Sequence, residues 1–124
     1  MKAIFTLFTC FLLNLQASYA QVELAKTIDE NGQLTAIWFQ MGPEEVQVIR
    51  FYPSGQLQEV GNWYQGRLHG SWAMWAENGH KVGEAYYRNG HKTGCWKLWS
   101  PAGEWQYDLW YDQDQLVDAR IPSR

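Results

Sequence analysis

The sequence is poor in the residues that staple small exported domains or interrupt regular structure. It has 2 cysteines and 4 prolines in 124 residues, too few half-cystines for a disulfide-dense scaffold. Charged residues are 19% of the chain and the formal net charge is -3. A nucleic-acid binder carries a basic stripe, which this acidic balance argues against. The length holds one domain and not two of full size. No segment after residue 20 offers an apolar helical face ten residues long. What the chain has in quantity is Trp (8), Tyr (7) and Gly (11). So aromatic a composition excludes native disorder and predicts short strands joined by glycine turns.

Residues 1–20 read as a secretory signal. Lys2 precedes an apolar run over residues 3–13, and Ser18-Tyr19-Ala20 gives a small-x-small exit. Asn14 and Gln16 cut the run short of the roughly 18 apolar residues that a membrane span needs. Leu7-Phe8-Thr9-Cys10 is a weak lipobox, because Thr9 is a poor residue before a lipidated cysteine. Cleavage after Ala20 removes Cys10 and leaves Cys95 alone, so packing must hold the fold without an internal disulfide. Cys95 reads as a small, half-buried strand residue, with an intermolecular disulfide as the alternative.

A period runs through the remainder. Gly55, Gly79 and Gly103 are spaced by 24, as are Phe51, Trp75 and Trp99, and Trp63, Tyr87 and Tyr111. Gly66 and Gly90, Gly70 and Gly94, and Trp72 and Trp96 keep the same step. Self-similarity at this length is the mark of a repeat architecture. The third copy decays, with Asp114, Asp118 and Arg120 where Gly, Gly and Trp fall in the others, as suits a terminal capping repeat. Asn31-Gly32-Gln33-Leu34 is a diverged earlier copy, and the register slips near Gly42-Pro43-Glu44-Glu45. The expected organisation is a degenerate first hairpin over residues 21–45 and regular repeats over residues 46–124. Within a copy the apolar residues alternate: Trp105, Tyr107, Leu109 and Tyr111 mark a half-buried strand. Asn78-Gly79 and Asn89-Gly90 are predicted type I′ hairpin turns. The predicted fold is all-β: a repetitive antiparallel hairpin meander.

The run from Gly61-Asn62-Trp63-Tyr64-Gln65-Gly66 through Gly70-Ser71-Trp72 to Asn78-Gly79, with its next copy from Gly83 to Trp99, resembles the MORN repeat variant family. The likeness covers about residues 46–111, with Trp in place of several Tyr and Pro101-Ala102-Gly103 in place of an Asn-Gly turn. The resemblance implies stacked hairpins in an elongated single-layer sheet, a scaffold without catalytic residues or cofactor. Some bacterial members are labelled antitoxin-like.

His69, His80 and His91 stand 11 apart, which invites a metal reading. Successive turns of a meander alternate between opposite edges, however, so His80 lies across the sheet from the others. His69 and His91 are two strands apart, roughly 10 Å, too far for one zinc. They read as surface histidines beside turns. Asp108, Asp112, Asp114 and Asp118 read as solvated charge on the capping strands, without the spacing of a calcium loop. Ser71 holds the position equivalent to Cys95, which points to a tolerant strand site rather than a nucleophile, and no phosphate-cradling loop appears.

The aromatics carry the functional expectation. Phe51, Trp75 and Trp99, and Trp63, Tyr87 and Tyr111, read first as packing between repeats. Trp72 and Trp96 point opposite to Trp75 and Trp99 in regular strands, and Trp110 shares its face with Gln106, Asp108 and Asp112. Trp72, Trp96 and Trp110 are therefore the candidate binding surface. The expected partner is another protein, in an immunity-like or envelope-scaffold role, in the periplasm or outside the cell. A carbohydrate or cell-wall polymer is the alternative, and negative charge weighs against an anionic membrane. Two outcomes are expected. Protein from the secretory fraction begins at Gln21 by intact mass, with no lipid on Cys10. Cys95→Ser changes stability by at most ~1 kcal/mol and leaves migration on nonreducing gels unaltered.

Overall fold

Alternating apolar residues become strands, and glycine-rich punctuation becomes the turns between them. The computed structural model describes residues 22–123; the leader, Cys10 and the cleavage site lie outside the described residues. The elements are β1 (Val22–Ile28), β2 (Leu34–Gln40), β3 (Glu45–Phe51), β4 (Leu57–Tyr64), β5 (Arg67–Leu68) and β6 (Gly70–Trp75). They continue with β7 (Lys81–Arg88), β8 (His91–Lys92), β9 (Gly94–Trp99), β10 (Trp105–Asp112) and β11 (Gln115–Arg120). All belong to one antiparallel sheet whose order follows the chain, β1-β2-β3-β4-β6-β7-β9-β10-β11, with β5 on β4 and β8 on β7. The predicted meander is the observed fold.

The two edges use different turns, which explains the alternating steps of 11 and 13. On one edge Gln65-Gly66, Asn89-Gly90 and Gln113-Asp114 all have left-handed φ at both positions, the type I′ form that matches strand twist. On the other edge the Gly55, Gly79 and Gly103 amides donate to the carbonyls of Tyr52, Ala76 and Ser100 at 2.8, 2.9 and 2.9 Å. There only the glycine is left-handed. Asn78-Gly79 is thus not the type I′ turn expected, because its longer loop closes three residues back and leaves Asn78 with ordinary negative φ. The Gly32 amide makes the same bond to Asp29 at 3.0 Å, so the N-terminal hairpin uses the same turn.

The register slip falls where the sequence placed it, and the hairpin pairings give its cause. Tyr64 pairs with Arg67, but Val60 pairs with Ala73, so two extra residues are accommodated around His69 and Gly70. The same bulge recurs around Thr93 and Gly94. Both glycines are left-handed, at φ 80° and 69°, and each bulge splits its strand in two. Pairing of β2 with β3 is unbroken from Ala36↔Arg50 to Gln40↔Val46. That hairpin lacks the bulge and has a slightly longer turn, which shortens the step from 24 to 23. In β10–β11 one residue, Val117, is extra and the strand runs through. Ala119, not Arg120, therefore takes the place opposite Leu109 that Trp96 shares in the preceding pair.

A single layer has little interior. The buried apolar side chains among the described residues are Ala36, Val48 and Ala85. All eight tryptophans are half-buried. Val48 lies opposite Gly61 in register, and Trp72 lies across Gly61 from the other side. A Cβ on Gly61 would meet three Trp72 ring atoms at 2.5 Å. Gly83 is similarly filled, with Met74 Cε 2.6 Å from an ideal Cβ. Gly61→Ala is expected to destabilise by about 1–3 kcal/mol through overpacking. Ser71→Ala, on the exposed neighbour of Trp72, should stay within about 0.5 kcal/mol. Denaturant unfolding of the two variants makes the comparison.

Candidate binding surface

Cross-strand pairing puts the rings of five successive long strands on one face. Trp63, Trp72, Tyr87, Trp96 and Tyr111 form a continuous ladder, with centroid spacings of 6.1, 6.0, 5.2 and 5.1 Å. Their planes cross at 57–74°, the edge-to-face geometry that the ring quadrupole favours. The Trp72 indole N–H donates to the Asn62 carbonyl at 3.3 Å and that of Trp96 to the Tyr86 carbonyl at 3.1 Å. These donors are related by the 24-residue step, so each tryptophan is tied across the bulge to the preceding strand. Trp63 Nε1 is buried without a partner among the described residues. A cleft of about 250 Å³ beside it is lined by Met41, Asn62, Tyr64 and His69, among others.

Cations lie over several rings. Lys92 Nζ sits 5.1 Å from the centroids of both Trp96 and Tyr111, and Arg50 covers Trp38 at 5.4 Å. Arg50 also pairs with Glu59 at 3.6 Å. Burial raises the Glu59 pKa, and the guanidinium only partly offsets it.

Of the three tryptophans singled out from sequence, the structure brings two together. Trp72 and Trp96 share the ladder. Trp110 lies on the opposite face, because it pairs with Cys95 while its neighbour Leu109 pairs with Trp96. Arg120 covers the Trp110 ring at 5.4 Å. Trp75 and Trp99 are also on that opposite face, paired with Lys81 and Trp105. The sequence separated Trp63, Tyr87 and Tyr111 from Trp72 and Trp96, yet all five are one ladder. The signal was in the two-residue turn at Gln65-Gly66. It pairs Trp63 with Leu68, and Trp72, four residues later, keeps the same parity.

The acidic residues are not uniformly solvated. Asp108 is buried, at 5% exposure. It accepts from Trp105 Nε1 at 2.9 Å and Lys97 Nζ at 3.3 Å. Burial works to raise its pKa, but these hydrogen bonds and the charges of Lys97 and Arg120 hold it below the usual aspartate value. Asp114 fills a left-handed turn position, φ 69°, that glycine occupies in the other copies. Its carboxylate accepts from the Lys92 amide at 2.8 Å and meets His91 Nδ1 at 2.6 Å, and the His91 bond leads in lowering its pKa. Aspartate tolerates this backbone region better than most residues, and the two contacts explain its presence there. Burial raises the Cys95 thiol pKa, aided by Asp108, which leaves it a weak nucleophile. His69 and His91 flank one edge of the sheet and His80 the other. Among the described residues no three His, Cys, Asp or Glu side chains converge on a metal position, and no helix is long and apolar enough to cross a membrane.

The lowered Asp114 pKa sets a sign. Its stabilisation is fully present above the usual aspartate value of 3.8 and is lost as pH falls through the lower folded value. Asp114→Asn should lower the melting temperature at pH 7 and converge with the parent protein in strong acid. Thermal melts from pH 7 to pH 2 measure the difference.

Comparison with known proteins adds to this geometry. No curated protein matches the sequence. Among the solved structures that match are two of TarM. A crystal structure of TarM covers 82% of this chain and 21% of its own, at 9% identity and TM-score 0.49. That of an S. aureus TarM mutant in complex with fondaparinux, α-GlcNAc-glycerol and UDP covers 87% and 23%, at 8% identity and TM-score 0.51. The chain spans under a quarter of those proteins, and at such identity the second likeness is one of fold alone. The family model described as MORN repeat variant matches residues 44–63 and 68–89. Those limits contain all of β3, β6 and β7, and β4 up to Trp63. Two of the hairpin copies in this sheet, residues 44–63 and 68–89, thus match the MORN repeat variant model.

Proposed function

We propose that this chain is an exported, non-catalytic repeat module that binds another protein through the ladder face. The observation that carries the reading is the ladder itself: five half-buried rings in unbroken contact across five strands, with no further layer of the described chain over them. Rows of accessible aromatics are favoured contact surfaces between proteins. The cation over the ladder favours a protein over a sugar. Carbohydrate stacking needs a free ring face, whereas Lys92 lies over both Trp96 and Tyr111. Lys92 beside this row of rings suits apolar side chains with an acidic neighbour. The sugar ligands of the TarM complex belong to that protein and lend no support here. An immunity-like role against an exported toxin and an envelope scaffold are the two forms this binding takes.

Tyr111→Ala is the informative variant, since Tyr111 ends the ladder and its ring, unlike those of Trp72 and Trp96, is not tied to a neighbouring carbonyl. It should weaken partner capture from the native envelope fraction by about thirtyfold, the value of a 2 kcal/mol hot spot. Trp110→Ala, on the other face, should leave capture intact. Equal loss in both variants, or retention of the protein on cell-wall polysaccharide with no protein partner, overturns the reading.

A further inference from the structure

The face opposite the ladder carries one row of cross-strand neighbours that can be followed through the sheet. From β1 to β7 the row is Lys26, Ile37, Ile49, Val60, Ala73 and Glu84, each opposite the next in register. Beyond Glu84 it turns ionic, through Lys97, Asp108 and Arg120. Within that stretch the Lys97 ammonium and Asp108 carboxylate already meet at 3.3 Å. The four aliphatic residues have no comparable arrangement. Every described strand belongs to the same sheet, so no second layer of the described chain covers them. An apolar sheet face is ordinarily buried against another layer. On the ladder face the rings supply part of that cover; here Ile37, Ile49, Val60 and Ala73 are half-buried, which leaves part of each open.

We propose that a second copy of this chain covers the row, the two sheets packing face to face about a two-fold axis parallel to the strands and passing between β3 and β4. The row is self-complementary about that point, as an isologous interface must be. The axis sets Ile49 against the partner's Val60, Ile37 against the partner's Ala73, and Lys26 against the partner's Glu84. Apolar residues meet in the centre and opposite charges meet at both ends. An axis along the row would instead set Glu84 against its own copy. Lys26 already contacts Glu23 at 3.3 Å and Glu84 contacts Lys81 at 2.7 Å. Their side chains remain 49% and 32% exposed, so an intermolecular pair extends these contacts without breaking them. Six strands at about 4.8 Å spacing and about 20 Å length give roughly 580 Å² on each side, or about 1,200 Å² in all. That exceeds the roughly 1,000 Å² expected of a specific interface. Aligned sheets pack about 10 Å apart at about 30°, which leaves both ladders on the outside. The proposal is independent of what the ladder binds.

Light scattering on size-exclusion effluent tests it, using protein produced from the full chain at loads up to about 100 µM. The parent protein should run as a dimer and Ile49→Lys as a monomer. Because that substitution could unfold the sheet, charge reversal provides a second arm. Lys26→Glu and Glu84→Lys should each weaken the dimer by at least about tenfold, and the double variant should recover most of that loss. A monomeric parent protein overturns the proposal. So does a dimer indifferent to all three single substitutions, or a double variant no tighter than either charge reversal alone.

Discussion

The contact on which this sheet depends is that of an indole laid across a bare α-carbon. Trp72 occupies the volume that a side chain at Gly61 would fill, and its N–H is satisfied by the carbonyl one residue along, at Asn62. A single layer has no interior in which to hide large rings, so it buries them against its own backbone. Ring area is the largest apolar contribution available to so small a domain, and glycine gives the closest approach. One step later Ala85 stands where Gly61 stood and is almost fully covered. In the last pair Leu109 fills the same slot, opposite Ala119 rather than a tryptophan. Side-chain volume therefore grows copy by copy at this position and is largest in the last copy, where no tryptophan follows.

Much of this was legible in the sequence because repeats state their geometry more than once. The 24-residue step carried the antiparallel meander and the place of the register slip. The Asn89-Gly90 turn followed from the residue types alone. Asn78-Gly79 did not, since the same dipeptide serves at the end of a longer loop, where only the glycine needs left-handed φ. The bulges were also hidden: nothing in His69-Gly70 or Thr93-Gly94 announces that two residues are absorbed there. Their consequence is large, because the final copy absorbs one fewer and Ala119, not Arg120, falls opposite Leu109. Grouping Trp72 and Trp96 with Trp110 was a failure of a different kind. Alternation along each strand was read correctly, but parity was not carried around the turns that join the strands.

Charge in this protein is used chiefly in contact with rings and turns. Lys92, Arg50, Lys81 and Arg120 each lie over an aromatic face, where a cation is attracted by the ring quadrupole. Asp108 accepts from an indole and an ammonium together, and Asp114 bridges adjacent copies by holding the Lys92 amide. The acidic C-terminal residues are therefore not one cluster with one role. Asp108 belongs to the packing of the last hairpins and Asp114 to the stacking of turns.

Strand order that follows chain order also determines how the molecule responds to tension. β1 and β11 are the two outermost strands, so force applied between the ends of the described chain acts across the sheet. It loads hydrogen-bonded pairs a few at a time instead of shearing them all together. Each hairpin then peels from its neighbour while those further in remain closed. One 24-residue copy, once released, can extend by roughly 80 Å at the reach of a stretched backbone. A protein built this way yields in increments under load and re-forms locally when the load is removed, because each lost contact lies between neighbours in sequence.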